Sequence, residues 1–187
     1  MYQSLLADAS FYDFLLRLDE DRAEEIRASG CDCGGRLHQA HYQRKPRGGP
    51  AELSRDVCRR LSYCCSVEGC RRRQTPPSLR FLSRKVFFAV VVLLVPVLRE
   101  GPKPKRLRRL QEAYEISPRT VRRWQRWWRE EFSGSQEMTR LRGSSTRPMR
   151  DEDLPGSLLE MLVPLPVPER VLAVLRALSP PPTVQAG

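Results

Sequence analysis

The sequence predicts an α+β fold that is mainly helical, with a small β module between helical segments. Three observations support this class. All six cysteines lie between residues 31 and 70, near glycines and short β-forming segments, which is typical of a compact metal-binding module. Segments with helical periodicity lie on both sides of the cysteines. The basic residues are concentrated in the middle of the chain, which indicates one surface for an anionic partner.

The distribution of charge says more than the net charge of +11. Residues 31–150 contain 28 basic and ten acidic side chains, whereas residues 1–30 and 151–187 are both acidic overall. A basic block of that size favours a polyanionic partner, and nucleic acid before a membrane surface. The 187 residues are enough for one compact domain or two small ones.

Residues 1–30 are predicted to form an N-terminal amphipathic helix that packs on the rest of the protein. Ser10 is expected to cap the helix, and Gly30 is expected to end it. The predicted apolar stripe consists of Phe11, Phe14, Leu15 and Leu18. This region has no basic start followed by an apolar run, so we expect no export signal and a cytoplasmic location.

Residues 31–78 are predicted to form a zinc ribbon, because two cysteine pairs lie beside glycines and near short strand patterns. Clustered cysteines in a chain without an export signal are more often a metal site than a disulfide framework. The expected Zn²⁺ ligands are Cys31, Cys33, Cys65 and Cys70. The first pair has C-x-C spacing, which chelates from an extended segment because residues i and i+2 face the same side.

The sequence leaves other ligand choices open. Cys64 is adjacent to Cys65 and is an alternative to it, whereas Cys58 is left over and is expected to be a small buried apolar residue. His38 and His41 form a rival site together with the first cysteine pair. We rank this rival second, because it leaves the second group of cysteines without a role. Reduced structural cysteines are the remaining alternative to a metal site.

Residues 79–99 are predicted to form a long buried helix, which is the first helix of a three-helix unit at residues 79–132. The apolar run from Val86 to Leu98 contains Pro96 and is shorter than the roughly 20 residues that a membrane span requires. The run is rich in valine, so local propensity also allows a strand. A membrane segment is the least favoured interpretation.

Residues 117–132 are predicted to form an amphipathic helix, preceded by a shorter basic helix at residues 105–113. Ser117 is a favoured N-cap, and Pro118 suits the first helical position because its missing N–H costs nothing there. At 100° per residue, one narrow apolar face consists of Val121, Trp124 and Trp128. The opposite face is a row of arginines.

A helix, a short turn and a capped arginine-rich helix together form the layout of a helix-turn-helix, whose second helix enters the DNA major groove. The sequence therefore predicts binding to double-stranded DNA. The expected DNA-binding residues are Ser117, Arg119, Thr120, Arg122, Arg123, Arg126 and Arg129. The alternative is a solvated basic helix that is held in place by its tryptophans.

Residues 133–187 are predicted to be a flexible tail with one short amphipathic helix near residues 168–178. The apolar stripe of that helix consists of Val171, Leu172, Leu175 and Leu178. The sequence does not decide whether this stripe packs on the body of the protein or mediates self-association.

The zinc-ribbon and helix-turn-helix patterns together resemble the N-terminal region of bacterial insertion-sequence transposases, and small stand-alone mobile-element proteins of that type. The likeness is carried by Cys31 to His38, Tyr42 to Gly48, Cys64 to Phe81 and Thr120 to Trp128. The resemblance implies sequence-directed DNA binding by an accessory or regulatory factor, with Zn²⁺ held by the ribbon cysteines. A transposase is the protein partner expected from this resemblance, and the alternative partner is a second copy of the chain, bound through the apolar stripe of the C-terminal helix.

No enzymatic activity and no small-molecule substrate are expected. Metal-dependent strand transfer requires three converging carboxylates, and the basic core offers only Asp32 and Asp56 as aspartates. An RNA-binding ribbon is the alternative function. It would need exposed aromatic side chains for stacking, and residues 31–80 offer only Tyr42 and Tyr63. The third hypothesis is a membrane-associated protein built around residues 81–98.

Overall fold

A computed structural model shows an α+β fold that is mainly helical, which confirms the predicted class. The structure describes residues 2–82, 85–99, 114–144 and 149–179. Two helices come first in these residues, short antiparallel strands follow, and further helices complete the described chain. The helix predicted at residues 105–113 lies outside the described residues.

The first two helices are α1 (Tyr2–Ala7) and α2 (Ala9–Ser29). The prediction of Ser10 as the cap of α2 was wrong, because the Asp8 carboxylate accepts the N–H of Ser10 and is the N-cap. The helix ends at Gly30 as predicted, where a φ of 75° is a conformation that glycine adopts without steric cost.

The buried face of α2 is rotated relative to the predicted stripe. Phe14 is exposed, so the prediction was wrong for this residue, whereas Leu18 is half-buried and packs against the core. The buried residues are Phe11, Tyr12, Leu15, Leu16, Asp19 and Ala23. Apolar spacing alone could not reveal this face, because it contains an aspartate.

The buried carboxylate of Asp19 anchors the chain that follows the ribbon. It accepts hydrogen bonds from the Leu79 N–H at 2.7 Å and the Ser78 hydroxyl at 2.5 Å. The Arg80 Nε lies 2.9 Å from the same carboxylate, and both side chains are almost fully buried. The Nη1 of Arg80 donates to the carbonyl of Val57 at 2.6 Å. This network joins α2 to residues 78–80 and, through Arg80, to Val57.

The strands are short and form two antiparallel sheets. The first sheet has the order β1-β4-β5, and the second pairs β2 with β3. The strands are β1 (Leu37–Gln39), β2 (Tyr42–Gln43), β3 (Arg59–Arg60), β4 (Tyr63–Cys65) and β5 (Arg73–Gln74). In the first sheet, Leu37 lies opposite Cys65 and His38 lies opposite Cys64.

The apolar run forms α3 (Ala89–Arg99), which begins later than the predicted residue 79. Residues 79–82 and 85–88 instead contain bends and isolated bridges, in which Phe81 pairs with Phe88. Every side chain from residue 90 to residue 95 is buried, so the run has no polar face that marks a helix start. Within the part of the chain that the structure describes, no helix has both the length and the apolar character needed to cross a bilayer.

The arginine-rich segment forms α4 (Pro118–Arg126), which continues into a π-helical segment at Trp127–Phe132. Ser117 is the N-cap as predicted, and its hydroxyl accepts the N–H of Thr120 at 3.2 Å. The predicted apolar face is confirmed, because the buried side chains include Val121, Trp124 and Trp128. The indole N–H of Trp128 donates to the Val92 carbonyl at 3.1 Å, which ties the helix to α3.

The C-terminal region contains more helix than the sequence predicted. Its elements are α5 (Gln136–Ser144), a 3-10 turn (Asp151–Asp153), α6 (Gly156–Met161) and α7 (Val167–Leu178). Only α7 was expected. Its Val171 and Leu175 are buried, and the Ser179 hydroxyl that follows it donates to the Ser78 carbonyl at 2.6 Å. The apolar stripe of α7 therefore packs within the chain.

Candidate metal centre and basic helix

The sulfur atoms of Cys31, Cys33, Cys65 and Cys70 all lie within 4.8 Å of one another. The Cys31 and Cys70 sulfurs are 3.8 Å apart, and those of Cys33 and Cys65 are 3.4 Å apart. Four thiolates around a tetrahedral zinc ion, each at about 2.3 Å, are about 3.8 Å from one another. The cluster is therefore compatible with a metal site.

Glycines shape the first cysteine pair. The Gly34 N–H donates to the Cys31 carbonyl at 2.7 Å, and the Cys31 N–H donates to the Gly35 carbonyl at 2.9 Å. A Cβ atom on Gly35 would lie 2.6 Å from the Sγ of Cys65 and 3.4 Å from that of Cys33. Because glycine has no Cβ, position 35 leaves space for the Sγ atoms of Cys65 and Cys33.

The second cysteine pair lies on either side of a tight turn after β4. The N–H groups of Cys70 and Arg71 both donate to the Val67 carbonyl at 3.0 Å, which closes the turn. The Val67 N–H lies 3.4 Å from the Sγ of Cys65 and donates to it. A backbone N–H that points at a sulfur favours the thiolate, which is the form that binds a metal.

The environment of Cys65 has opposing effects on its acidity. The N–H of Val67 lowers the pKa of this thiol, whereas burial and the thiols of Cys33, Cys31 and Cys70 raise it, and the resulting pKa is about 12. The Cys65 thiol therefore keeps its proton at neutral pH in the absence of a cation. A bound metal ion would reverse this balance, because a coordinating thiol is deprotonated.

The sheet register explains why Cys64 and His38 are not part of the cluster. Residues directly opposite each other in a sheet point to the same face, and successive residues alternate. Cys65 faces Leu37 on the side of the cluster, so Cys64 and His38 share the other face. The Sγ of Cys64 instead donates to the Arg71 carbonyl at 3.4 Å.

The rival site with two histidines is not brought together. The Nδ1 of His41 lies 3.0 Å from the N–H of Ser62 and accepts from it, and its ring contacts Tyr63 edge-on. His38 is exposed on β1. Cys58 is half-buried against the larger core, where burial raises the pKa of its thiol and the Arg80 charge lowers it less. It lies outside the cluster, as expected for a spare apolar residue.

The residues predicted to bind DNA lie on α4 and its N-cap, except Arg129, which lies in the π-helical segment that follows. Ser117 is exposed at the N-cap and Thr120 is half-buried beside it. The exposed arginines are Arg119, Arg122, Arg123, Arg126 and Arg129. Among the residues that the structure describes, no ion pair joins an acidic side chain to any of the first four arginines. The capped helix thus presents a basic face over a buried aromatic one.

A cleft of about 1100 Å³ opens beside the N-terminal end of α4. Its basic lining residues are Arg47, Lys85 and Arg123, and its acidic ones are Glu115, Glu131 and Glu137. The sequence pattern did not identify Arg47 or Lys85, because they are distant from the helix in the chain. The only signal for them is their position within the basic block.

Comparisons with known protein families, with curated proteins and with solved structures found no match to this chain.

Proposed function

We propose that this protein binds double-stranded DNA through the basic face of α4, in a fold that Zn²⁺ at the four cysteines stabilises. The observation that carries this proposal is the exposed row of arginines on a capped helix whose other face is buried. Like charges three or four residues apart destabilise a helix by about 0.2–0.5 kcal/mol per pair. A polyanion bound along this face would attract each arginine and offset the repulsion between them.

The position of each arginine on the helix suggests its role. The N-terminal residues of a recognition helix reach base edges, which here are Arg119, Thr120 and Arg123. Arg126 and Arg129 lie further along the helix, where side chains contact phosphates. The bidentate contact of arginine with guanine is the commonest specific one, so Arg123 is our first candidate for sequence readout.

The metal ion is assigned from the chemistry of the cluster. Four sulfur ligands in a tetrahedral arrangement select zinc or an iron–sulfur cluster, and closed four-cysteine sites are the structural zinc type. We therefore assign Zn²⁺ a structural role and place no reaction at it. The chain resembles the front part of insertion-sequence transposases, so we propose an accessory or regulatory role at a mobile element without catalysis.

The alternative of an RNA-binding ribbon is weakened by the packing of its aromatic residues. Tyr63 is 1% exposed and cannot stack on a base, which leaves Tyr42 at 44% exposed. Double-stranded DNA therefore remains the preferred partner.

The proposal is tested by salt titrations of binding to a selected DNA site and to random duplex. Arg123→Ala should reduce the discrimination between the two by about 1–3 kcal/mol. Arg126→Ala should weaken both complexes alike and flatten the log–log salt slope by about 0.9. Arg17→Ala, an exposed position on α2, is the control and should leave both unchanged. The absence of any effect of the α4 variants would refute this DNA interface.

A further inference from the structure

We propose that the cleft beside α4 holds a stretch of the DNA sugar-phosphate backbone, with Arg47 and Lys85 as its phosphate-contacting residues. This inference rests on the proposed function and adds a backbone site that lies outside the predicted recognition helix. The two residues come from different parts of the chain, and the fold brings both to the cleft that Arg123 also lines.

The backbone of Arg47 is fixed to the segment that leads into α3. The Arg47 N–H donates to the Val86 carbonyl at 3.0 Å, and the Arg47 carbonyl accepts the N–H of Phe88 at 3.2 Å. The side chain of Arg47 is exposed. An arginine on an anchored backbone loses less conformational freedom on binding than one on a loose loop. Arg47 is thus a preorganised cation in the lining of the cleft.

Hydrogen bonds also fix the backbone of Lys85. Its N–H donates to the Leu82 carbonyl at 2.9 Å, and its carbonyl accepts from the Nη2 of Arg44 at 2.9 Å. The ammonium group lies 4.2 Å from the centre of the Trp127 ring, which is cation–π distance. The aromatic ring therefore positions the charge of Lys85 within the cleft.

The surroundings of Lys85 oppose its positive charge. Burial lowers the pKa of this ammonium group, the Glu131 carboxylate partly offsets the effect, and the Arg123 charge adds to it. A phosphate beside Lys85 would offset the repulsion between Lys85 and Arg123, and Arg47 lines the same cleft. Cations from separate elements that line one cleft are the arrangement expected at an anion site.

The position of the cleft favours a polymer over a small ligand. It adjoins the basic face of α4 through Arg123, so a backbone strand that leaves the recognition helix continues into it. The π-helical segment supplies Trp127 and Glu131 to the lining, and π-helical turns are frequent at functional sites.

The acidic residues of the cleft provide a further test of whether it binds the DNA backbone. The carboxylates of Glu115, Glu131 and Glu137 repel a phosphate, so they should weaken the binding of a DNA backbone in the cleft. Replacement of Glu137 by glutamine should then raise DNA affinity. A decrease would indicate that this carboxylate accepts hydrogen bonds from a base, and it would overturn the assignment of the cleft to the backbone.

The experiment measures fluorescence anisotropy of a selected duplex and a random duplex, across salt concentrations, with the full chain in its metal-bound form. If the parent protein binds neither duplex, the proposed function itself fails. If it binds, Arg47→Ala and Lys85→Ala should each weaken both complexes severalfold and flatten the salt slope by about 0.9, with discrimination unchanged. Lys85→Arg should retain affinity, and Arg17→Ala should match the parent.

Variants that match the parent protein would overturn the inference and leave DNA binding by α4 intact. A change in discrimination rather than in uniform affinity would also overturn it. The parent protein offers a second measurement that does not depend on variants folding. Bound duplex should protect Lys85 from amine-specific chemical modification, as detected by mass spectrometry of its peptide, and equal modification with and without DNA would contradict the backbone site.

Discussion

Gly35 is the residue on which the geometry of the cysteine cluster depends most directly. A Cβ atom at this position would lie 2.6 Å from the Sγ of Cys65, so Gly35→Ala must displace a ligand sulfur. We expect a cost of about 1–3 kcal/mol in the free energy of unfolding and a lower metal content. Gly69→Ala is the matched control, because a Cβ there meets no atom within 4 Å. Equal metal content in the two variants would contradict this role of Gly35.

The buried pair of Asp19 and Arg80 gives a second prediction at this scale. Asp19→Ala would leave the Arg80 guanidinium buried without its counter-charge, and we expect a loss of about 3–5 kcal/mol in chemical denaturation. The control is Glu24→Ala, which removes an exposed ion pair with Arg27 and should cost at most about 1 kcal/mol. A similar loss in both variants would show that the buried pair contributes no more than a surface one.

Single residues divide into those that the sequence predicts and those that it does not. Gly30 and Ser117 were found from local rules, because caps depend on the adjacent backbone, although the same rules selected Ser10 where Asp8 is the cap. The burial of Arg80 was not predictable, since charged side chains are almost never fully buried unless they are paired. Its partner Asp19 is distant in sequence, and no periodicity marks such a pair. In the described residues, the Nη2 of Arg80 also has no hydrogen-bond partner.

The two faces of α4 are expected to respond differently to substitution. Trp124 is 2% exposed and contacts the Phe87 ring edge-on, with ring centres 4.9 Å apart. Trp124→Ala should therefore lower the free energy of unfolding by about 3–5 kcal/mol through a core cavity. Arg123→Ala on the exposed face should change it by less than about 0.5 kcal/mol. Denaturant melts of the two variants compare them, and the reverse order would mean that the faces are wrongly assigned.

At the scale of elements, predictions succeeded where burial is one-sided. The narrow apolar face of α4 repeats at helical spacing, so its buried residues were predicted correctly. The start of α3 was missed because side chains from residue 90 to residue 95 are buried all round, and such a run carries no period. The cysteine cluster was predictable in part. Alternation along β4 separates Cys65 from Cys64, and local hydrogen bonds to the Val67 carbonyl close the turn that contains Cys70. The approach of this pair to Cys31 and Cys33 depends on the pairing of β1 with β4, which the cysteine spacing alone does not show.

At the scale of the whole molecule, the cysteine-containing β region and the helical body have separate buried clusters. The cluster of the β region contains Cys31, Leu37 and Tyr63, whereas the larger one joins the helices. Helix α2 contributes to both, through Leu15 in the larger cluster and Ala23 in the smaller one. The cleft also belongs to this scale. Its Arg47, Lys85 and Arg123 meet only after the chain folds, and the sequence shows merely that all three are basic.

Removal of the metal is therefore expected to destabilise the smaller cluster more than the larger one. Chelation should abolish hydrogen-exchange protection in β1, β4 and β5 and in the turn that contains Cys70, because their buried cluster is small and the cysteines form part of it. Helix α4 should remain protected, since Val121, Trp124 and Trp128 lie in the other cluster. Exchange measured by mass spectrometry before and after chelation tests this. Loss of protection in both regions at once would show that the two clusters fold as a single unit.

The most direct test of the metal centre is the metal content of the protein purified without added metal, measured by elemental analysis and native mass spectrometry. We predict one zinc ion per chain, lost in Cys65→Ser and in Cys70→Ser. Cys64→Ser and Cys58→Ser should retain it, because neither sulfur belongs to the cluster. A content well below one zinc per chain in the parent protein, or loss of the metal in Cys58→Ser alone, would contradict the four-cysteine site.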